Sequence, residues 1–261
     1  MDLSLQGKRA LVGGASRGIG RATAIELALL GASVTCMARD EGGLKTLLNE
    51  LTVSNLQAHD LIVGDSGDPQ TMANKVAEKA ESGTYNIIVN NTGGPPDGPA
   101  HSADIEAFEL AFTQHVICSQ LILKVVLPGM RDSGYGRIIN VISTSVKQPI
   151  PGLGVSNTIR AAMASWAKTL ASELGPDNIT VNNVLPGFTQ TDRLDQVIDA
   201  NVNRSGRVKN EIVTAMQASV PLKRFGKPSE TAAAIAFLAS PAAAYINGIN
   251  LPVDGGRTAS L

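Results

Sequence analysis

Cysteine is scarce in this 261-residue chain, which has only Cys36 and Cys118. Both fall in apolar periodic segments and read as buried thiols rather than a disulfide. No metal-ligand spacing joins them to the three histidines, His59, His101 and His115, so no metal site is expected. A surplus of charge is missing as well. The 22 Lys and Arg stand against 23 Asp and Glu, a formal charge of −1, which argues against nucleic acid, since neutralising phosphates needs a clustered basic excess. No stretch approaches the ~18 uninterrupted apolar residues of a membrane span. Met1 to Leu11 carries charge before any apolar run, unlike a secretory leader. The expectation is a protein of a reducing, cytoplasmic compartment, bound to no membrane. Repeats, low-complexity tracts and linkers are also lacking, so one domain over 1–261 is the economical reading. With 43% hydrophobic and 17% charged residues, such a domain buries a sizeable core without staples.

What is present is a regular alternation of β-rich apolar runs and helical patterns. Strands are expected at Arg9–Val12, Ser33–Ala38, His59–Val63, Asn86–Val89, Arg137–Ile142, Ile179–Leu185 and Ile249–Val253. Helices are expected at Ile19–Leu30, 42–51, 69–82, 104–131 (stopped around Pro128 and Gly129), 155–174 and 229–239, the last opened by Pro228 with Ser229 as cap. The run Ile87-Ile88-Val89 is apolar throughout, as in a strand covered on both faces. This pattern predicts an α/β, single-domain Rossmann fold: a seven-stranded parallel, doubly wound sheet with helices on both faces. One irregular, polar segment, about 186–227, reads as an excursion over the ligand-binding edge, with a helical pattern near Val208–Ala218.

Directly after the first strand stands Gly13-Gly14-Ala15-Ser16-Arg17-Gly18-Ile19-Gly20. Glycines at this spacing provide a sharp turn, close backbone approach to a pyrophosphate, and tight helix–strand packing, while the next helix points its first amides at the phosphates. Between a strand and a helix, the motif is a strong sign of dinucleotide binding. In NAD binders an acid near the end of the second strand holds the ribose diol. Here that place is Ala38, followed by Arg39. Arg39, helped by Arg17, would pair with a 2′-phosphate, so NADP is expected. NAD remains an alternative through Asp40.

With these motifs the chain resembles the short-chain dehydrogenase/reductase family, especially its β-ketoacyl-acyl-carrier-protein reductase branch. Gly14-x-x-x-Gly18-x-Gly20 matches the cofactor turn, and Asp65-Ser66 the acid that holds the adenine amine. Asn90-Asn91-Thr92-Gly93 matches the motif beneath the cofactor. Pro186-Gly187, with Thr189 and Thr191 after it, matches the turn that holds the nicotinamide amide, and Val253-Asp254-Gly255-Gly256 the C-terminal signature. The resemblance implies carbonyl/alcohol interconversion on a small-molecule or carrier-bound carbonyl substrate, including 3-oxoacyl thioesters. It also implies a homodimer or homotetramer formed through the two long helices.

The catalytic positions depart from the family. Its serine is present as Ser143, but its Tyr-x-x-x-Lys pair falls on Ser156 and Arg160, and its helix asparagine on His115. Tyr85, Tyr135 and Tyr245 all lie outside the relevant helix. Serine is a far weaker acid than phenol and reaches less far, and Arg160 keeps a charge while being unable to relay protons. Two readings follow. In one, the protein is an oxidoreductase in which Ser143 polarises a carbonyl and a replacement acid, His115 with its ordinary pKa near 6.5 or a water held by Arg160 and Ser156, delivers the proton. In the other, it binds dinucleotide without turnover as a cofactor-gated interaction module. Lys147, in the loop after the fifth strand, is a candidate contact for an anionic or carrier-bound substrate.

Overall fold

The computed structural model describes residues 1–54 and 56–260. Seven parallel strands form one sheet in the order β3-β2-β1-β4-β5-β6-β7. They are β1 (Arg9–Gly13), β2 (Ser33–Ala38), β3 (Asp60–Val63), β4 (Ile87–Asn90), β5 (Gly136–Val141), β6 (Ile179–Pro186) and β7 (Asn250–Val253). The expected α/β class and strand set are found. The strand order reverses between β1 and β4, whose register runs Ala10 to Ile87 and Val12 to Val89. A crevice therefore opens outside the carboxyl ends of these two strands, where open α/β sheets bind ligands.

The central strands are buried on both faces, which explains their unbroken apolar runs. One face carries α1 (Gly18–Leu29), α2 (Glu41–Leu48) and α9 (Pro228–Ala239), with a core including Leu27, Val34, Leu44, Val89 and Ile235. The other carries α3 (Pro69–Ala80), α5 (Cys118–Asp132) and α6 (Gly154–Leu174), with a core including Leu11, Val76, Ile88, Ile122 and Val181. Cys36 and Cys118 are buried, free thiols in these two layers, as expected. Asp40 and Asp68 cap α2 and α3 by accepting from the Gly43 and Thr71 N–H groups at 3.0 and 3.1 Å. At α9 the cap is Lys227, whose N–H is accepted by Glu230 at 2.7 Å; Ser229 lies inside the helix and is not the cap.

The expected helix 104–131 differs in two ways. It is α4 (Ile105–Phe112) and α5 joined by a π-helical turn, Thr113–Ile117. It also does not stop at Pro128, which lies inside α5. The lost hydrogen bond at proline is offset by a face buried on both sides of it, from Ile122 and Val126 to Met130. By length and composition this 28-residue run is apolar enough to cross a membrane. Glu106, Glu109 and Lys124 interrupt it, which is why no uninterrupted apolar run marks it in the sequence.

Candidate dinucleotide cleft and active site

The turn from β1 into α1 needs its glycines for reasons visible in the backbone. Gly14 and Gly18 have φ of +58° and +57°, a region that side chains avoid. A Cβ on Gly20 would stand 2.3 Å from the Gly14 carbonyl oxygen and 2.7 Å from Asn91 Nδ2. Asn91 fixes the turn from below, donating to the Gly13 carbonyl at 3.1 Å. The residue before α1, Arg17, makes no side-chain cap, so the first amides of the helix are left for a ligand.

This turn forms one end of a cleft of about 1310 Å³ along the carboxyl edge of the sheet. Ser16, Arg17, Ile19, Arg39, Asp65, Ser66, Asn91 and Gly93 line it, as do Pro186, Gly187, Thr189 and Thr191. Thr191 closes over the turn, its Cγ2 standing 3.2 Å from where a Gly18 Cβ would be. At this end of the cleft Arg39 is exposed and 3.5 Å from Asp65 Oδ2, and Arg17 is 3.3 Å from Asp192. Asp40, the alternative diol acceptor, spends its carboxylate on the α2 cap. A side-chain-free turn, free helix amides and two arginines fit a dinucleotide bearing a 2′-phosphate.

Ser143 follows β5, and its Oγ accepts from the Ser145 N–H at 3.1 Å, leaving its own proton to point elsewhere. Ser156 lies in the first turn of α6, and its hydroxyl has no hydrogen-bond partner among the described residues. Arg160, one turn further on, is only 7% exposed yet borders the cleft. Its Nη1 donates to the Val141 carbonyl at 3.1 Å and lies 3.4 Å from His115 Nδ1. Burial, then the charge of Arg193, pushes its pKa down to about 10, so it remains a cation at neutral pH.

His115 requires a correction. It does not line the cleft, it is 3% exposed, and its Nε2 has no hydrogen-bond partner. Burial first, then the Arg160 charge, pushes its pKa down to about 2, against a smaller opposing effect of the Gly93 carbonyl. The ring is neutral at any physiological pH and accepts from Arg160; the expected titration near pH 6.5 does not occur. The tyrosines supply no replacement. Tyr85 donates to Thr35 Oγ1 at 2.9 Å in the core, Tyr135 donates to the Ala239 carbonyl at 2.7 Å, and Tyr245 is fully exposed. Lys147 also lies outside the cleft lining.

Two features escaped the sequence reading. Within the excursion, α7 (Asp192–Ser205) presents Arg193, Gln196, Val197, Ala200, Asn201 and Arg204 to the cleft, while Leu194 and Ile198 pack on α8 (Lys209–Ala218). That spacing is a helical stripe, but a largely polar one that no clean apolar period marks in the sequence. Arg193 also bridges to Asp97 at 2.5 Å, tying α7 to the loop after β4. The second feature is an amide ladder. Asn90 donates to Asn140, Asn140 to Asn183 and Asn183 to Asn250, each at 2.8 Å, across four adjacent strands.

Comparison with known proteins agrees with this geometry. The family described as enoyl-(acyl carrier protein) reductase matches residues 14–258. The NADPH-dependent reductase BacG of Bacillus subtilis is 32% identical over 97% of this chain and 99% of its own. The 3-oxoacyl-[acyl-carrier-protein] reductase FabG of Pseudomonas aeruginosa is 35% identical over 97% and 98%. The chain belongs to the short-chain dehydrogenase/reductase family. The structure of L-sorbose reductase from Gluconobacter frateurii with NADPH and L-sorbose superposes with a TM-score of 0.92, at 30% identity and full coverage of both chains.

Proposed function

We propose that the protein is an NADP-dependent reductase of a carbonyl compound. The observation that carries this is the glycine cradle opening onto Arg17 and Arg39, with Ala38 where a diol-binding acid would stand. Gly14, Gly18 and Gly20 admit the pyrophosphate to the first amides of α1. Asp65 and Ser66 border the adenine, Asn91 and Gly93 underlie the cofactor, and Pro186, Gly187, Thr189 and Thr191 face the nicotinamide amide. When bound, the cofactor supplies a hydride equivalent. Ser143 and Ser156 orient the substrate oxygen, and Arg160 holds positive charge beside it. The relatives are reductases by name, of 3-oxoacyl carrier-protein thioesters and of a ketose among them, which favours turnover over a purely cofactor-binding role. A ketone or thioester-linked carbonyl is the substrate class we adopt, and the cytoplasm, which keeps Cys36 and Cys118 reduced, is the compartment.

The test is fluorescence titration with NADPH and NADH. NADPH should bind more tightly, and Arg39→Ala should weaken it roughly tenfold or more, the worth of a charge-assisted pair, with NADH little changed. Equal loss for both cofactors would remove the 2′-phosphate assignment.

We further propose a homodimer or homotetramer. The outward face of α4 and the π turn exposes Ile105, Phe112 and Ile117 to 68, 41 and 39%, an apolar surface that a second copy would cover.

A further inference from the structure

Arg160 is a buried cation with no acid beside it. Among the described residues it takes part in no ion pair. Its Nη1 alone is engaged, donating to the Val141 carbonyl at 3.1 Å and lying 3.4 Å from His115 Nδ1. The neutral His115 ring accepts a hydrogen bond but offsets no charge. These two contacts pin the guanidinium by one corner. Nε and Nη2, whose N–H groups project side by side from the remaining edge, have no protein acceptor and are not sealed from the cleft. Burying a guanidinium is costly unless an opposite charge and hydrogen bonds offset it. Here the fold supplies hydrogen bonds at one corner and leaves the rest to a ligand.

A second guanidinium faces the same space from α7. His115 lies against the Gly93 carbonyl. Gly94, the next residue, lies under Arg193, whose Nε and Nη2 would stand 3.8 and 3.9 Å from a Gly94 Cβ. Arg193 is near enough for its charge to lower the Arg160 pKa. Its Nη2 donates to the Pro95 carbonyl at 3.3 Å and to Asp97 Oδ1 at 2.5 Å. Around Gly93 and Gly94, two guanidinium groups thus stand against one carboxylate. The other lining acids are spent on Arg17, Arg39 or the α2 cap, except Glu106, which is exposed on the rim. The loop carrying Asp97 is tied at Gly98 to Gly152 and Gly154 by backbone hydrogen bonds of 2.8 and 2.9 Å, so this wall is preformed.

We propose that Arg160 and Arg193 form a carboxylate site in the cleft, and that the substrate is an oxo acid. Its carboxylate lies on the open edge of Arg160, and its ketone oxygen on the Ser143 and Ser156 hydroxyls. Two parallel N–H groups match the two oxygens of a planar carboxylate, a fork that an ammonium group does not reproduce. Ser156 and Arg160 are one helical turn apart, about 5–6 Å between Cβ atoms. Few bonds therefore separate ketone and carboxylate, as in 2-oxo and 3-oxo acids. In the reduction, hydride from a reduced nicotinamide dinucleotide forms a C–H bond at the carbonyl carbon, and the C=O π pair goes to oxygen. Water protonates that oxygen, leaving hydroxide and the hydroxy acid. The proposal rests on the reading of this cleft as a nicotinamide-dependent ketone reductase site and narrows its substrate to one that carries an anion.

Calorimetry on the protein saturated with NADP⁺, which cannot reduce a ketone, tests the site. The probes are pyruvate, phenylpyruvate and acetoacetate, each beside its methyl ester, and dihydroxyacetone phosphate. At least one acid should bind roughly tenfold or more tightly than its ester, the worth of a charge-assisted fork. Arg160→Gln should cut that preference roughly tenfold, and Arg160→Lys should keep part of it through charge alone. Arg193→Gln should cut it less, because Asp97 already shares that cation. Each variant is checked for an intact thermal transition and for NADPH binding. With NADPH, the preferred acid should become its hydroxy acid, one cofactor being oxidised per acid. Acids that bind no better than their esters, or a preference unchanged in Arg160→Gln, overturn the carboxylate site and leave the reductase reading intact. So does a loss confined to NADPH affinity, which would give the open edge of Arg160 to the cofactor ribose. Dihydroxyacetone phosphate binding more tightly than every acid overturns the carboxylate in favour of a phosphate. An acid that binds without being reduced overturns the substrate class. Failure of NADPH to bind at all would remove the reductase reading itself.

Discussion

The pairing of His115 with Arg160 has a consequence that pH reveals. In the unfolded chain His115 takes up a proton below about pH 6.5; in the folded protein burial and the neighbouring guanidinium refuse it until about pH 2. The folded state thus binds fewer protons in that window. Stability is unaffected above about pH 6.5 and falls as pH drops below it, by up to about 1.4 kcal/mol per pH unit from this residue. Denaturant melts at pH 7, 6 and 5 should show the loss, and His115→Gln should flatten it. An equally steep loss in the variant would assign acid sensitivity to other groups. The residue scale also explains why the sequence misled here. Ordinary histidine chemistry follows from residue type, but the depressed pKa follows from burial first and the neighbouring Arg160 charge second, both supplied by the fold. Arg160, by contrast, keeps its charge, with its pKa lowered to about 10, and borders the cleft.

At the scale of elements, the amide ladder is the device most exposed to a single change. Asn140 is fully buried and serves both as acceptor for Asn90 and donor to Asn183. Asn140→Ala would leave the buried Asn183 acceptor and the half-buried Asn90 donor unpaired, costing about 1–3 kcal/mol in chemical denaturation. Because Asn90 borders the cleft, NADPH affinity should fall with it. A destabilised protein with unchanged affinity would confine the ladder to setting register. The excursion makes a different prediction. Its small core joins Leu194, Ile198, Ile212 and Phe225, apart from the two sheet layers. Ile198→Ala should cost about 2–4 kcal/mol of local stability. Hydrogen exchange should speed up over α7 and α8 while amides of β1, β4 and β5 stay protected. The α8 segment was legible from its apolar period. The α7 segment was not, because its cleft-facing stripe is polar and it reads as a loop until Leu194 and Ile198 find partners far along the chain.

For the whole molecule, the prediction concerns association. One apolar face of α4 and the π turn points outward although the inner face of the same run is in the core. Light scattering after size exclusion should give a dimer or tetramer mass at micromolar concentration, and Phe112→Glu combined with Ile117→Glu should give a monomer with wild-type NADPH affinity. A monomeric wild type would leave that surface as an exposed patch and remove the proposed assembly.

The sequence by itself determined the sheet, its alternation with helices and the dinucleotide turn. These depend on local facts: periodicity, strand burial on both faces, and glycines that alone tolerate Gly14 and Gly18 geometry at their spacing. It also placed Ser156 and Arg160 where the resemblance implies a tyrosine and a lysine. Only the tertiary structure decided what the replacements do. The protonation state of His115, the surroundings of Arg160 and the cleft face of α7 arise from groups distant in the chain meeting in the fold. Burial and neighbouring charge then set their chemistry, and neither can be read from residue type and spacing.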